Sequence, residues 1–377
     1  MRIAIIRRAY TLKRGGAERY CVNISRQLQA LGHDVTIIGE SIDPDLENEV
    51  NFIAVPVSHS SQWAINRTFA ANSGKEADRH NFDIVYGLSR CFGINVYRLT
   101  DRLHTHWSKT YYKYGIQRFA QTRLNPRHRT ILWLERMMCT RPETKRIIVQ
   151  SSLDKSLVQE YFNTPEEKLR VIHNGVDITT FHPGDGHDRA VVRDELGVGE
   201  DPLLLFAASK FEGKGLSTII RAMARSSHDK AQLVVIGQGK RTQYEKLATS
   251  LNIAGRVRFI GHESNIQRFY RAGDLFVLPT VYEPFPNVNL EAMACGCPVI
   301  TSATAGGVDV IDEGRNGYAI PNPRAVDELT DRLDHHLALG TNDRDDMSKH
   351  CWETAQNLTL SNHAKRVESV FKEVVAL

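Results

Sequence analysis

The chain has 377 residues, 41% of them hydrophobic, 24% charged and 8% aromatic. That composition excludes a disordered or fibrous chain, and the length implies two to three domains. The net charge of +4 is unevenly spread: residues 1–168 carry 25 Lys and Arg against 17 Asp and Glu, and residues 169–377 carry 23 against 27. Two halves of opposite charge point to two domains with different partners.

The six cysteines are scattered, and the one close pair, Cys295 and Cys297, has no matching pair elsewhere. This excludes a zinc site and a disulfide-stapled secreted fold. No apolar run reaches the roughly 18 residues of a membrane-spanning helix. Arg7 and Arg8 interrupt the opening MRIAII too early for a signal peptide. The expected location is the cytoplasm, with a membrane surface as the only membrane contact.

In chain order, Arg2–Ile6 is predicted as a buried strand. A turn at Gly15-Gly16 follows, then a helix from Ala17 to Leu31 ended by Gly32, and a second strand over Asp34–Gly39. This is a β-α-β unit of the doubly wound type. Further strands are expected at Phe52–Val55, Asp83–Gly87 and Asn95–Leu99. The pattern restarts with a strand at Leu203–Ala208, a turn holding Gly213, Lys214 and Gly215, and a helix from Leu216 to about Arg225. Strands at Gln232–Ile236, Val257–Ile260, Leu275–Leu278 and Pro298–Ile300 complete the second array. Two such arrays predict an α/β protein with two Rossmann-like domains, joined near Asn174 to Pro183. The last segment, His363–Leu377, places Val367, Val370, Phe371 and Val374 at helical spacing.

Open parallel sheets bind ligands at the carboxyl ends of their strands. Glu283–Gly296 (EPFPNVNLEAMACG) occupies such a place, after the strand LFVL and leading into a helix that Gly296 should cap. The helix start at Pro286, Asn287 and Val288 suits an anion. Glu283 and Glu291 flank it, and each carboxylate can accept hydrogen bonds from neighbouring hydroxyls. The set fits a nucleotide sugar. Asp43-Pro44-Asp45 matches a D-x-D metal motif but sits in an acidic stretch after the second strand, and is expected to be a solvated loop.

At these residues the chain resembles the family 4 glycosyltransferases of the GT-B fold, whose signature is E-x7-E. Gly15 to Arg19, Val171 to Pro183, Ser209 to Gly215, and Ala305-Gly306-Gly307 with Glu313 to Gly317 resemble further motifs of that family, in the right order. The resemblance implies two Rossmann-like domains facing each other across a cleft. These would be residues 1–173, with the helix 357–377 packing back on them, for the acceptor, and residues 174–356 for the donor. It implies retaining transfer from a nucleoside diphosphate sugar, without cofactor or obligatory metal. Glu283 would hold the donor sugar, Glu291 the ribose, and Lys214 the diphosphate, with Gly15 and Gly16 allowing close approach. Where relatives carry an Arg five residues before the Lys, this chain has Ser209, and Lys210 is the compensating candidate. Asp101 and His104 would face the sugar, His104 donating to a sugar hydroxyl or assisting proton movement near neutral pH.

The run Gly87 to Trp107 resembles the bacterial lipopolysaccharide core glucosyltransferase I group. That implies transfer of glucose from UDP-glucose to a heptose of the inner core, at the cytoplasmic face of the inner membrane. Another lipid-linked glycan with GDP-mannose as donor, or an inactive membrane-binding scaffold, are the alternatives.

Residues 109–136 carry seven bases against the single acid Glu135, among them Lys109, Lys113, Arg118, Arg123, Arg127 and Arg129, with Tyr111, Tyr112, Tyr114, Phe119 and Trp133 interleaved. Such a mixture suits an anionic membrane surface or a phosphorylated glycolipid. No nucleic-acid-binding motif is present.

Overall fold

The computed structural model describes residues 1–13, 15–112 and 115–377. It divides into two compact units, Met1–Asn174 with Leu360–Leu377, and Gly175–Thr359. These limits differ by one to three residues from those expected from the sequence.

Unit 1 holds strands β1 (Arg2–Ile6), β2 (Ala9–Tyr10), β3 (Asp34–Gly39), β4 (Ser41–Ile42), β5 (Asn51–Ala54), β6 (Ile84–Gly87), β7 (Val96–Arg98), β8 (Arg146–Val149) and β9 (Leu169–Val171). Seven of them form one sheet in the order β5-β3-β1-β6-β7-β8-β9, while β2 and β4 pair separately. Ile3 lies between Val35 and Ile84, and all neighbours run parallel. Sequence reasoning missed β8 and β9. The helices are α1 (Gly16–Ala30), α2 (Gln62–Asp78), α3 (His104–Tyr111), α4 (Gly115–Phe119), α5 (Pro126–Thr140) and α6 (Ser152–Phe162). Helix α1 buries Cys21, Val22, Ile24 and Leu28 on one face. It stops where Gly32, at φ +84°, turns back to donate to the Gln29 carbonyl, a left-handed step that favours glycine.

Unit 2 holds α7 (His187–Leu196), β10 (Leu203–Ala207), α8 (Leu216–Met223), β11 (Gln232–Ile236), α9 (Thr242–Ser250), β12 (Val257–Gly261), α10 (Ile266–Ala272), β13 (Leu275–Leu278), α11 (Asn287–Ala294), β14 (Val299–Ser302), β15 (Gly317–Ile320), α12 (Val326–Leu337) and α13 (Thr341–Asn357). Its sheet is parallel, in the order β12-β11-β10-β13-β14-β15. The strands β10, β11 and β13 are apolar runs because helices cover both faces. In each sheet the strand order reverses once, between β1 and β6 in unit 1 and between β10 and β13 in unit 2, and those reversals are where a doubly wound sheet opens a crevice for ligand.

The last helix, α14 (Leu360–Val375), is part of unit 1. Val367, Val370, Phe371 and Val374 enter the unit 1 core, with Phe371 edge-on to Tyr86 at 5.0 Å. Each such apolar side chain contributes about 1.5–3 kcal/mol on full burial. Glu373 accepts from Arg146 and Arg170 and fastens the helix end.

Buried His363 on α14 donates from Nδ1 to the His173 carbonyl at 2.7 Å and takes the Tyr20 hydroxyl on Nε2 at 2.9 Å. Burial, with Arg98 nearby, lowers its pKa to about 3. The unfolded chain binds a proton there below about pH 6.5 and the folded chain does not. Stability is therefore complete above that pH and is lost as pH falls towards 3, by about 1.4 kcal/mol per pH unit. Urea midpoints measured from pH 7.5 to 4.5 should fall less steeply in His363→Gln than in the native chain; parallel slopes would contradict this.

Candidate active site

In unit 2 the loop after β10 is pinned at three points. Phe211 is buried and packs edge-on to Phe206 at 5.8 Å. The Gly213 carbonyl accepts from Val281 N at 2.9 Å and from Thr280 Oγ1 at 3.1 Å. Gly215, at φ +81°, lies so close to the end of β13 that an added Cβ would stand 2.2 Å from the Pro279 carbonyl oxygen. The loops after β10 and β13 are thus held together at the reversal of strand order. Lys214 from the first pairs directly with Glu283 from the second. Both side chains are largely covered, at 14% and 22% exposure. Ser209 and Lys210 are exposed in the first loop.

Glu283 is fixed through its backbone, which bridges Ala305 and accepts from Gly306 N at 2.9 Å. Helix α11 begins at Asn287, and its N-cap Pro286 supplies no side-chain cap. Gly307 is pressed onto this start: a Cβ there would come within 2.9 Å of Asn289 Nδ2 and 3.1 Å of Pro286. Asn289 is fully buried, with no partner for its side-chain amide among the described residues. Glu291 lies four residues beyond Asn287, about 6 Å along the axis, against buried Tyr270. Burial, then that carboxylate, pushes the Tyr270 phenol well above its ordinary pKa. Gly296, at φ +78°, ends the helix. So the structure joins Lys214 to Glu283 beside the helix start and sets Glu291 against Tyr270 further along α11.

A larger hollow of 780 Å³ in unit 2 lies at the opposite ends of the strands, beside Asp274 and Pro298. It contains neither Lys214 nor Glu283, and its Asp274 is taken up by Arg189 and Arg193.

In unit 1 a pocket of 270 Å³ lies at the reversal between β1 and β6. Arg7 and Arg8 follow β1, Ser89 and Arg90 follow β6, and Glu18, Asp101 and Arg127 complete the charged lining. Arg7 binds Glu18 at 2.7 Å and the Leu88 carbonyl at 3.0 Å. Asp101 is half-exposed between Arg7 at 3.8 Å and Arg90 at 3.7 Å. Sequence reasoning missed Arg7, Glu18 and Arg90 as site residues. The available signal for Arg7 and Arg90 is their place just after strand ends; Glu18 lies instead in the first turn of α1.

His104 opens α3. Its Nε2 lies 2.7 Å from His128 Nδ1, and its ring stacks on Trp107 at 5.3 Å. Burial, followed by Arg90, lowers its pKa to about 3. A ring held neutral near pH 7 favours the first of its two expected roles, hydrogen bonding to a sugar hydroxyl, over proton movement. His106 instead meets the Tyr161 hydroxyl at 2.9 Å.

Gly15 is the N-cap of α1 with φ −68°, and an added Cβ would make only an ordinary contact with Glu18 at 3.6 Å. No turn geometry requires glycine at Gly15. Gly16 is the first residue of α1. Asp43-Pro44-Asp45 is not a plain loop: Pro44–Leu46 forms a 3₁₀ turn, Asp43 accepts from Thr11 at 2.5 Å, and Asp45 pairs with Lys13 at 3.2 Å.

Lys109, Arg118, Arg123, Arg127 and Arg129 are exposed on or between α3, α4 and α5. Lys113 and Tyr114 lie outside the described residues. Ile116 is 86% exposed, Phe119 61% and Leu124 70%. Among the described residues, no helix is long and apolar enough to cross a membrane.

Two doubly wound units, each with polar groups gathered at its strand-order reversal, define a GT-B glycosyltransferase architecture. Residues 14–180 match the model of Glycosyltransferase Family 4, and residues 188–353 match that of Glycosyl transferases group 1. The chain belongs to the family 4 glycosyltransferases. It is 25% identical to the lipopolysaccharide glucosyltransferase WaaG of Escherichia coli (strain K12) over 324 residues, 85% of each chain. The crystal structure of WaaG, a glycosyltransferase involved in lipopolysaccharide biosynthesis, superposes with a TM-score of 0.81 at 23% identity, covering 98% of this chain and 99% of that one. Anabaena Alr3699/HepE in complex with UDP-glucose superposes with a TM-score of 0.75 at 18% identity, covering 99% and 100%.

Proposed function

We propose that the protein is a retaining hexosyltransferase that moves glucose from UDP-glucose to a heptose of a lipopolysaccharide core or a similar membrane glycolipid. The observation that carries this reading is the Lys214–Glu283 pair at the β10/β13 reversal, beside the start of α11. Without ligand the ammonium and the carboxylate satisfy each other. A sugar pyrophosphate separates their tasks. Lys214 turns to the phosphates and helps the α11 start hold their charge. Glu283 is left to accept from sugar hydroxyls, and Glu291 from those of the ribose. As the anomeric C–O bond breaks, its electron pair leaves on the diphosphate, and Lys214 stabilises that developing charge. The acceptor hydroxyl attacks from the same face and its proton passes to the departing phosphate oxygen, so that no protein nucleophile or metal is needed.

Unit 1 takes the acceptor. Its pocket offers Asp101 and Glu18 to hydroxyls and four guanidinium groups as donors. The reading gains support from the name of the Escherichia coli relative and from the UDP-glucose complex of Anabaena Alr3699/HepE. The exposed cations and apolar side chains on and between α3, α4 and α5 support a location on the cytoplasmic surface of the inner membrane.

The test is product analysis by mass spectrometry, with lipopolysaccharide core acceptors and a panel of UDP- and GDP-sugars, in buffer containing EDTA. The expected outcome is one added hexose from UDP-glucose. Transfer only from GDP-mannose, or only with added metal, would overturn the donor or the mechanism respectively.

A further inference from the structure

We infer that Glu135 is a positioning residue that sets the acceptor-side groups His104 and Asp101; the inference rests on the reading of unit 1 as the acceptor side. Glu135 lies on α5 and is fully buried. Four donors converge on its carboxylate. Oε1 accepts from His104 N at 2.7 Å and Arg90 Nη2 at 3.2 Å, and Oε2 accepts from Thr105 N at 2.9 Å and Thr105 Oγ1 at 2.7 Å.

The two backbone amides among those donors, of His104 and Thr105, explain why a charge is buried there. Helix α3 starts at His104, and its N-cap Leu103 has no side chain able to cap. The amides of a first helical turn need acceptors from elsewhere, and a carboxylate at a helix start is also favoured by the dipole. Glu135 supplies both from a different helix. A buried carboxylate must itself be paired, and Arg90 does this. Burial alone would lower the Arg90 pKa, but the Glu135 charge, helped by Tyr97, Asp101 and the hydrogen bond to Glu135, outweighs it and the value is raised.

Arg90 then reaches outward to Asp101 at 3.7 Å. One carboxylate thus ties together the start of α3, the turn after β6 and the turn after β7. His128, seven residues before Glu135 and so on the same face of α5, meets the imidazole of His104 at 2.7 Å. Helix α5 therefore holds His104 twice, by its backbone through Glu135 and by its ring through His128.

The experiment compares Glu135→Gln, Glu135→Asp and Thr105→Val in the full-length enzyme, measuring acceptor and donor kinetics separately with UDP-glucose hydrolysis in the absence of acceptor. Gln offers one acceptor oxygen for four donors and no charge for Arg90. Misplacing a reacting group by about 1 Å can cost around 100-fold, so Glu135→Gln should lower kcat/KM for acceptor by about that factor. Donor KM and donor hydrolysis should change by less than about twofold. Aspartate keeps the charge and should recover part of the loss, which simple removal of packing would not predict. Thr105→Val removes one of the four donors and should cost a smaller, acceptor-specific loss even if the Gln variant fails to fold. Unchanged acceptor kinetics in a folded Glu135→Gln enzyme, or an equal fall in donor hydrolysis, would overturn the positioning role alone. Native enzyme that transfers to no glycolipid while still binding UDP would overturn the acceptor reading, and this inference with it.

Discussion

Lys214→Ala should lower kcat for sugar transfer by about 10²–10³-fold, the usual cost of removing one donor aimed at developing transition-state charge. Glu283→Gln should also abolish most transfer, but the two variants should move nucleotide affinity in opposite directions. In the free enzyme Lys214 is neutralised by Glu283, so a diphosphate must compete with a carboxylate for it. Removing the carboxylate's charge releases the ammonium, and UDP should bind several-fold more tightly to Glu283→Gln. Removing the ammonium leaves a lone carboxylate beside the phosphates, and UDP should bind more weakly to Lys214→Ala. Calorimetric titration with UDP and steady-state rates with UDP-glucose check both. The fold should survive each change, because the pair sits on two loops above the sheet, outside the apolar core. Full activity in both variants would remove the basis of the mechanism.

The opposed affinities follow from the Lys214–Glu283 contact, and that contact is what the sequence did not reveal. Lys214 and Glu283 were each legible as residues on loops after strands. Their pairing depends on β13 lying next to β10, with α8 to α10 and two strands intervening in the chain. It also depends on Gly215 allowing one loop to rest on Pro279. Neither condition leaves a local pattern. Among the strands that went unread, β8, β9 and β15 have three or four residues each, no fewer than the legible β6, β7 and β13, so length alone does not account for the miss. Long apolar runs such as Leu203–Ala207 were read nearly to the residue because burial on both faces dictates their composition. Glu135 was the deepest miss. Counted by charge it is one acid among seven bases, a surface feature by expectation; in the fold it is fully buried and holds four donors. Net charge along a stretch says nothing about which member of it faces inward.

The same stretch carries the second large effect. Vesicles rich in anionic lipid should recruit the protein, and raising salt should release most of it. Each Lys or Arg near an anionic surface contributes about 1 kcal/mol, and Lys109, Arg118, Arg123, Arg127 and Arg129 are all exposed. The attraction weakens as the screening length shrinks from about 8 Å at 0.15 M salt to about 3 Å at 1 M. Arg118→Glu with Arg123→Glu reverses two of those charges and should weaken binding by at least 30-fold, taking about 2 kcal/mol for the loss of two attractions. Ile116, Phe119 and Leu124 are exposed between these cations and should enter the headgroup layer, a contribution that salt does not screen. Replacing Phe119 and Leu124 by Ser should therefore weaken binding at every salt concentration, whereas the arginine reversal should matter less as salt rises. Vesicle co-sedimentation across a salt series separates the two contributions. Equal binding to neutral and anionic vesicles at all salt concentrations would show that these cations take no part in membrane attachment.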